Sequence, residues 1–396
     1  MIETIDGELS LPGMVNAHSH AFQRYLRGRV QRRSPAVADS FWTWREGMYA
    51  LANRLELKDI EASARLVYAE CLEAGYTAVG EFHYLHHPGG TADSGLGSAS
   101  AIIRAARQTG IRLRLLFTVY SRGGFGQPLR DEQRRFETPS LADVERALDG
   151  IAKTLLPSDA GRLGLGLAIH SVRAVEDSWF GPIAELARER EIPLHVHASE
   201  QRVEVETCRA HFGLSPIALL DERGALGPET SLVHATWCDD EDLDRIARSG
   251  ATVVICPTTE GDLGDGVPRT AAMWARRIPI AIGSDSHAII DPFAELRRLE
   301  YDARAASESR CVLVDARGEA LESLIAIGST AGRRSLGFSE TDHGDRVRLR
   351  ADARFFAGIA PGDRAVAALL GAHPGLVDEV QVGGEVLVVN GRHAHV

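Results

Sequence analysis

The chain has 396 residues, of which 44% are hydrophobic and 25% are charged, and its formal net charge is −11. These proportions are ordinary for a folded globular protein with room for one large domain and a small one. The negative charge argues against a nucleic-acid-binding surface, and no apolar run is long enough to cross a bilayer. We therefore expect neither nucleic acid nor a membrane as a partner.

The cysteines also limit the classes of protein to which this sequence can belong. They are five in number, scattered and without a CxxC pair, which indicates neither a disulfide framework nor a thiolate zinc site. The first residues, MIETIDGELS, lack the basic and apolar segments of a signal peptide. We expect a cytoplasmic protein, and we expect it to form a homodimer.

Short apolar runs alternate with helical periodicity through most of the chain. Ile60, Ala64, Val67 and Cys71, for example, repeat at the spacing of one helix face. This alternation predicts an α/β fold, a (β/α)₈ barrel of the TIM type, with a doubly wound open sheet as the alternative. Eight parallel strands, mostly apolar because both faces are buried, are predicted at 13–17, 77–82, 112–119, 163–169, 193–196, 231–233, 251–255 and 279–283.

The pattern changes after Leu336. Residues 345–350 and 380–390 are predicted to form strands, and residues 361–370 a helix. We therefore predict a catalytic barrel over 12–336 and a small β-rich domain from 1–11 plus 337–396. Only 17 residues precede His18, which indicates either a start placed too far downstream or a reduced small domain.

Two connections are unusually long for a barrel. Residues 21–55 contain the aromatic run SFWTWRE, and residues 120–140 are rich in glycine and arginine. Long loops at a barrel mouth are usually lids or substrate loops, although idle surface insertions are the alternative.

Five side chains suited to a metal site each come at the end of a predicted strand. His18 and His20 in VNAHSH can grip one ion, because residues i and i+2 of a strand point to the same face. His197 lies in LHVHASE, His234 in SLVHAT and Asp285 in IGSDSH. Imidazole and carboxylate together suit Zn²⁺ or a similar divalent ion, which activates water for hydrolysis or deamination.

The neighbouring residues leave some roles open. His195 lies on the same strand face as His197 but deeper, so we expect it to support the site, with a ligand role as the alternative. His234 could be a fourth imidazole ligand or a hydrogen-bonding electrophile beside the water. Four further histidines lie near these strand ends: His83, His86 and His87 follow strand 2, and His287 follows Asp285. We expect them to support loops or metal ligands and not to bind a second metal ion.

The order VNAHSH, HVHASE, LVHAT and GSDSH resembles the amidohydrolase superfamily, in its mononuclear deaminase branch. The segments HSHAFQR, SFWTWRE, GEFHYLHH, IHSVRAV and GDLGDG narrow the resemblance to the formimidoylglutamate deiminases. Those enzymes hydrolyse N-formimino-L-glutamate to N-formyl-L-glutamate and ammonia in a route of histidine degradation. The resemblance covers nearly the whole chain, from about Pro12 onward.

This resemblance implies a role for each matching residue. The implied zinc ligands are His18, His20, His197 and Asp285. Asp285 is also implied to take a proton from the attacking water, and Glu200 to deliver one to the departing nitrogen. His234 is implied to stabilise the developing charge. The positions that match substrate-contacting residues are Gln23, Arg45, Tyr120, His170 and Arg173.

The lysines bear on the number of metal ions. Binuclear relatives bridge two metals with a carboxylated lysine at the end of strand 4, whereas strand 4 here, LGLGLAIHS, has no lysine. The only two lysines, Lys58 and Lys153, fall in predicted helices. We therefore predict one ion per chain, Zn²⁺, with Fe²⁺ or another divalent ion as alternatives.

Two other functions are alternatives, a heterocycle deaminase and a non-catalytic barrel. A deaminase of a heterocycle such as guanine would need apolar and amide contacts, whereas Arg45 and Arg173 suit the two carboxylates of a small dianionic amidine substrate. A non-catalytic barrel would be expected to have lost ligands, whereas this sequence retains all of them.

Overall fold

The computed structural model describes residues 3–5, 8–32, 39–88, 95–339, 344–350 and 352–396, which form two sheets. The larger sheet has eight strands, and every neighbouring pair in it is parallel. In chain order they are β3 (Met14–Ser19), β4 (Tyr76–His83), β5 (Arg112–Val119), β6 (Leu163–Ser171), β7 (Leu194–Ala198), β8 (Thr230–His234), β9 (Thr252–Ile255) and β10 (Ile280–Ile282).

The first and last strands of this sheet meet beside the predicted metal ligands. The Asp285 amide donates to the His18 carbonyl at 3.0 Å, and the His20 amide donates to the Asp285 carbonyl at 3.1 Å. These bonds join β3 to the segment after β10 and bring the two ends of the sheet together, so the predicted TIM-type barrel is confirmed.

Helices follow the barrel strands, as expected for parallel strands that need crossover connections. The periodic stretch that contains Ile60 and Cys71 forms one of them, with those side chains buried. The helices are α1 (Phe41–Ala52), α2 (Leu57–Ala74), α3 (Leu96–Thr109), α4 (Leu141–Ala152), α5 (Phe180–Glu189), α6 (Arg202–Phe212), α7 (Pro216–Glu222), α8 (Asp240–Ser249), α9 (Pro257–Leu263), α10 (Thr270–Ala275), α11 (Pro292–Ser307), α12 (Leu321–Ile325), α13 (Ala331–Ser335) and α14 (Arg364–Gly371). Within the described residues, no helix combines the length and the apolarity needed to cross a membrane.

The smaller sheet is antiparallel and combines both ends of the chain. It consists of β1 (Glu3–Ile5), β2 (Glu8–Pro12), β11 (Arg346–Leu349), β12 (Val377–Val382), β13 (Glu385–Val389) and β14 (Arg392–His393). The segment predicted at 380–390 is a hairpin of β12 and β13, because Gly383 and Gly384 adopt positive φ angles at the turn. The domain boundaries at residues 12 and 336 stay a prediction.

One of the long connections is more regular than expected. The run SFWTWRE was expected in a loop, but all of it after Ser40 lies in helix α1. Ser40 and Thr43 form a capping box at the start of this helix, which satisfies backbone amides that would otherwise lack partners. Arg45 therefore projects from a helix rather than from a loop.

A buried ion-pair cluster links the smaller sheet to the barrel. Asp345, fully buried, accepts two bonds from the Arg112 guanidinium at 2.8 and 2.9 Å and one from Arg333 at 2.7 Å. It also accepts from the Gly383 amide at 2.7 Å. Burial alone would raise the pKa of Asp345, but Arg112 and Arg333 hold it below 3.8.

Replacing Asp345 by asparagine should destabilise the protein by about 3 kcal/mol, because two buried guanidinium groups lose their countercharge. Because the pKa of Asp345 is lower in the folded protein, its stabilisation is present above about pH 4 and disappears as the pH falls through the folded-state pKa. Urea unfolding at pH 7 and at lower pH measures the effect. Asp302→Asn, which removes a partly exposed partner of Arg298, is the control and should cost less than about 1 kcal/mol. Equal losses in the two variants would contradict a special role for Asp345.

Candidate metal centre and active site

The ends of β3 and β7 bring three imidazoles together at one mouth of the barrel. The Nε2 atom of His18 lies 3.1 Å from Nε2 of His20 and 3.0 Å from Nε2 of His197. Asp285, just beyond β10, places Oδ1 3.6 Å from His18 Nε2 and 3.5 Å from His20 Nε2. The structure thus brings together four of the side chains that the sequence suggested as ligands.

The donor atoms fit a bound cation. Burial, followed by the neighbouring imidazoles, lowers the pKa of His18 and His197 well below 6.5, and burial also lowers that of His20. Neutral imidazoles are the form that binds metals. Tetrahedral ligands at usual zinc–nitrogen distances lie about 3.3 Å apart, close to the observed spacing. A cation between the rings would remove the repulsion among their nitrogen lone pairs.

Backbone carbonyls fix the orientation of two of the rings. His20 Nδ1 donates to the Phe82 carbonyl at 2.9 Å, and His197 Nδ1 donates to the His170 carbonyl at 2.7 Å. A proton on Nδ1 leaves the Nε2 lone pair free toward the cluster. The strand neighbours therefore select the tautomer that a metal ligand needs.

A second group of possible ligands is less suitable. His234, Cys256 and Asp285 also lie close together and share Asp285 with the first group. Burial raises the pKa of the Cys256 thiol well above 9.0, so the sulfur stays protonated and is a poor ligand. The two lysines, Lys58 and Lys153, are both exposed. The donor chemistry therefore favours the three imidazoles with Asp285.

The remaining histidines of the barrel have other partners. His195 Nε2 donates to the Ser335 carbonyl at 2.8 Å. His83 contacts the Ser98 hydroxyl at 3.0 Å, and His86 donates to the Thr118 carbonyl at 2.7 Å. His87 likewise donates to the Glu137 carbonyl, and His287 contacts the hydroxyls of Ser19 and Ser284. These contacts support strands and loops.

His234 lies among three carboxylates. Its Nε2 is 3.8 Å from Glu200 and 3.7 Å from Asp285, and its Nδ1 is 3.2 Å from Glu260. Burial alone would lower the pKa of His234, but the charge of Glu200, the hydrogen bond to Glu260 and the charge of Asp285 raise it to about 10. A protonated ring can donate a hydrogen bond toward the reacting centre.

A pocket opens next to the imidazole cluster. Helix α1 covers one side of the pocket, so the aromatic run SFWTWRE contributes to the pocket although it forms a helix and not a loop. The side chains of Gln23, Arg45, Tyr120, His170 and Arg173, all predicted to contact substrate, line this pocket. Its other lining residues are His20, Phe41, Trp44, Met48, Tyr49, Tyr84, His197, Glu200, His234, Leu263 and Asp285.

The polar groups of the pocket are only partly satisfied. Gln23 donates to the Tyr84 hydroxyl at 2.9 Å, while its amide oxygen has no hydrogen-bond partner. The Tyr120 hydroxyl accepts from Gln133 at 2.9 Å and lies 3.4 Å from that of Tyr49. An unpaired buried polar group costs free energy, so such atoms in a pocket indicate where a ligand would bind.

The two arginines differ in their surroundings. Arg45 stacks its guanidinium 4.5 Å from the ring of Trp42, and its Nε has no hydrogen-bond partner. Arg173 lies 3.3 Å from Glu204 and 3.7 Å from Glu200, and one of its terminal nitrogens, Nη1, likewise forms no hydrogen bond. Arg45 is thus the less neutralised cation, whereas Arg173 is shared with two glutamates.

Three site residues were missed by the sequence analysis. Tyr84 directly follows the last residue of β4, so its position at a strand end was a usable signal. Glu204 comes four residues after Glu200, but α6 begins only at Arg202, so helix periodicity does not relate the two. Glu260 follows β9 within a short helix, and nothing in the sequence pattern singles it out.

Comparison with protein families gives a match to the amidohydrolase family over residues 9–341. The chain belongs to the amidohydrolase family. It is 41% identical over 307 residues to formimidoylglutamate deiminase of Pseudomonas aeruginosa, a match that covers 77% of this chain and 66% of that enzyme. This match confirms the predicted resemblance to that group within the family.

Other amidohydrolases share the fold. The crystal structure of an amidohydrolase from Brucella melitensis is 35% identical, with a TM-score of 0.90 over 97% of this chain and 86% of that chain. An 8-oxoguanine deaminase of Pseudomonas aeruginosa is 28% identical over 96% of this chain and 82% of its own length. An adenosine deaminase of Xanthomonas campestris with bound zinc is 23% identical, with a TM-score of 0.79 over 98% of this chain and 82% of that chain, a likeness of fold alone.

His197→Ala should strongly reduce the divalent metal content of the purified protein, because one of three converging imidazoles is lost. His195→Ala is the matched control, since it removes an imidazole two residues away on the same strand that bonds to Ser335. It should lower the melting temperature but keep the metal. Elemental analysis measures both, and an equal loss of metal in the two variants would contradict the assigned ligand set.

Proposed function

We propose that this protein is a metal-dependent deiminase that hydrolyses N-formimino-L-glutamate to N-formyl-L-glutamate and ammonia in histidine degradation. The identity of 41% to a formimidoylglutamate deiminase supports this choice within the family. The amidohydrolase relatives indicate a divalent ion, and we propose a single Zn²⁺ per chain, with Fe²⁺ or another divalent ion as alternatives. The five unpaired cysteines are consistent with a cytoplasmic location, and homodimer formation stays a prediction.

The observation that carries the substrate assignment is a pocket with two arginines beside the imidazole cluster. Arg45 Nε has no hydrogen-bond partner in the protein. Arg173 Nη1 forms no hydrogen bond either, but it lies 3.3 Å from Oε2 of Glu204, with which it forms an ion pair. Formiminoglutamate carries two carboxylates, and guanidinium groups hold carboxylates through strong charge-assisted bonds. We propose that Arg45 and Arg173 each bind one carboxylate, which directs the amidine toward the imidazoles.

The proposed chemistry uses three side chains around the ion site. A bound divalent ion supplies the acidity that makes water a nucleophile at neutral pH. Asp285, within 3.7 Å of His18, His20 and His234, accepts a proton from the attacking water. The water oxygen bonds to the amidine carbon, and the bond from that carbon to its terminal nitrogen then breaks.

Glu200 and His234 complete the reaction. Glu200 is buried at the mouth of the barrel, between His234 and Arg173. It takes the second proton of the attacking oxygen, as the carbonyl forms, and delivers it to the nitrogen that leaves as ammonia. The protonated His234 donates a hydrogen bond to the charge that develops at the attacked carbon. Both roles require the side chains to face the pocket, which both of them line.

A heterocycle deaminase is the second candidate, because 8-oxoguanine deaminase is also a relative, at 28% identity. Stacking surfaces such as Tyr84 and Phe41 are present in the pocket. Two guanidinium groups in the pocket, however, suit a dianion better than a neutral purine. A non-catalytic barrel is disfavoured because the three imidazoles, Glu200 and Asp285 are all retained.

An ammonia-release assay tests this function. Formiminoglutamate should be hydrolysed with a kcat/KM at least about 100-fold above that for guanine, 8-oxoguanine or a formamidine without carboxylates. Faster hydrolysis of a purine would overturn the assignment in favour of the second candidate, and no hydrolysis by metal-loaded protein would overturn both.

The arginines should differ in their kinetic effects. Arg45→Met should lower kcat/KM by roughly 30- to 1000-fold, mainly through KM, because a substrate carboxylate loses its charge-assisted partner. Arg173→Met should lower kcat as well, because Arg173 also contacts Glu200. Lysine should rescue Arg45 poorly, because it lacks the planar fork.

The control for these variants is Arg54→Met, an exposed arginine just after the same helix α1. An analogue of formiminoglutamate that lacks one carboxylate completes the comparison. At least one arginine variant should discriminate little between the substrate and this analogue. If both variants lost equal activity on the two compounds, carboxylate recognition would have to lie elsewhere.

A further inference from the structure

Glu260 is a buried carboxylate at the active site to which the reaction described above assigns no role. It lies in the short helix α9, which begins where β9 ends, and only 2% of its surface is exposed. Its Oε1 accepts a hydrogen bond from the Cys256 amide at 3.0 Å and lies 3.2 Å from Nδ1 of His234. The same carboxylate oxygen thus accepts from the backbone and contacts the His234 imidazole, while Oε2 has no hydrogen-bond partner.

The position of the His234 ring depends on two constraints. Its backbone adopts φ 74°, and that of Ala235 φ 50°, a left-handed conformation that is costly for residues other than glycine. The Ala235 amide donates to the Ala198 carbonyl at 3.1 Å, which ties this segment to β7. The backbone therefore directs the side chain into the pocket, but it leaves the ring free to rotate about its last torsion.

Glu260 removes that remaining freedom. A carboxylate at Nδ1 favours a proton on that nitrogen, because an ionised carboxylate can only accept. With Nδ1 turned to Glu260, Nε2 faces Glu200 and Asp285 at 3.8 and 3.7 Å. The opposite ring orientation would turn carbon atoms toward these carboxylates.

We propose that Glu260 is the positioning residue of His234. It holds a proton on Nδ1 and fixes the plane of the ring, so that Nε2 faces the reacting centre. A buried acid that orients a catalytic histidine in this way is known from hydrolytic triads, in which loss of the acid lowers turnover by orders of magnitude. The kinetic part of the proposal rests on the deiminase function proposed above, whereas the ring orientation does not.

The alternative is that Glu260 only supports the backbone of α9. Glu295 offers a matched control for that role. It is also buried, and it accepts hydrogen bonds from the amide of Thr258, at 2.9 Å, and from the Thr258 hydroxyl, in the same helix α9. A variant of Glu295 therefore perturbs the support of α9 while leaving the imidazole contact in place.

The kinetic test uses Glu260→Gln, Glu295→Gln, His234→Asn and the double variant of Glu260 and His234 in the metal-loaded enzyme. Glu260→Gln should lower kcat for formiminoglutamate by about 10- to 1000-fold, with KM within about 3-fold and metal content unchanged. In the His234→Asn background, Glu260→Gln should lower kcat by less than about a further 3-fold, because a residue that positions the His234 ring has no effect once that ring is absent. Glu295→Gln should lower the melting temperature with kcat within about 3-fold.

Two kinetic results would overturn the proposal. One is a near-wild-type kcat in Glu260→Gln. The other is an equal fold-loss from Glu260→Gln with and without His234, which is the behaviour of a residue that acts through the fold.

A spectroscopic readout tests the ring orientation without substrate. In protein labelled with ¹⁵N-histidine, a hydrogen-bonded Nδ1–H proton signal should be present and should disappear in His234→Asn. The signal should shift or broaden in Glu260→Gln and remain in Glu295→Gln. If the wild-type spectrum held no Nδ1–H signal that disappears in His234→Asn, the proposal would be refuted even if the enzyme were active. If the wild type did not hydrolyse formiminoglutamate, the proposed function would fail while this measurement still decided the ring orientation.

Discussion

Two backbone hydrogen bonds between the first barrel strand and the segment after the last one determine the geometry of the candidate metal centre. Asp285 donates to the His18 carbonyl and accepts from the His20 amide, at 3.0 and 3.1 Å. Residues more than 260 positions apart in the chain thereby become neighbours. An open sheet would leave these strands at opposite edges, so closure of the barrel is the condition for a shared ion site.

The mouth of the barrel concentrates buried charge around that site. Glu200, Glu204 and Asp285 are each at most 5% exposed, and they face the cationic groups of His234 and Arg173. Burial raises the pKa of Glu204 to about 7, despite the lowering effect of Arg173. Buried charges persist only when they are paired, so each group constrains the next. In the proposed function, a substrate carboxylate at Arg173 would engage a side chain that also contacts Glu200, so that binding and proton transfer would be linked.

The sequence was sufficient for the barrel and the imidazole cluster because both follow from strand periodicity. The third barrel strand was predicted at 112–119, and in the structure it is β5, Arg112–Val119. HxH at a strand end places two possible ligands on one face of the strand. His197 and Asp285, each at the end of a later strand, supply the other two. These features depend on local pattern and on one rule of topology, namely that parallel strands end at the same face.

The residues that the sequence did not reveal depend on tertiary contacts. Arg45 was expected in a loop, although the capped helix α1 carries it to the pocket. Glu260 is important only because α9 turns its side chain back to the end of β9, next to His234. Neither position has a periodicity of its own. Such contacts between separate strand ends are set by three-dimensional packing, and a single sequence does not encode them as a visible pattern.

The central claim is that one ion, held by the converging imidazoles and Asp285, makes the chain a hydrolase. The most direct measurement is a titration of the metal-free protein with Zn²⁺ while ammonia release from formiminoglutamate is followed. The account predicts that activity rises in proportion to added zinc and stops rising at about one equivalent per chain. Full activity in the metal-free protein, or a rise that continues to two equivalents, would contradict it.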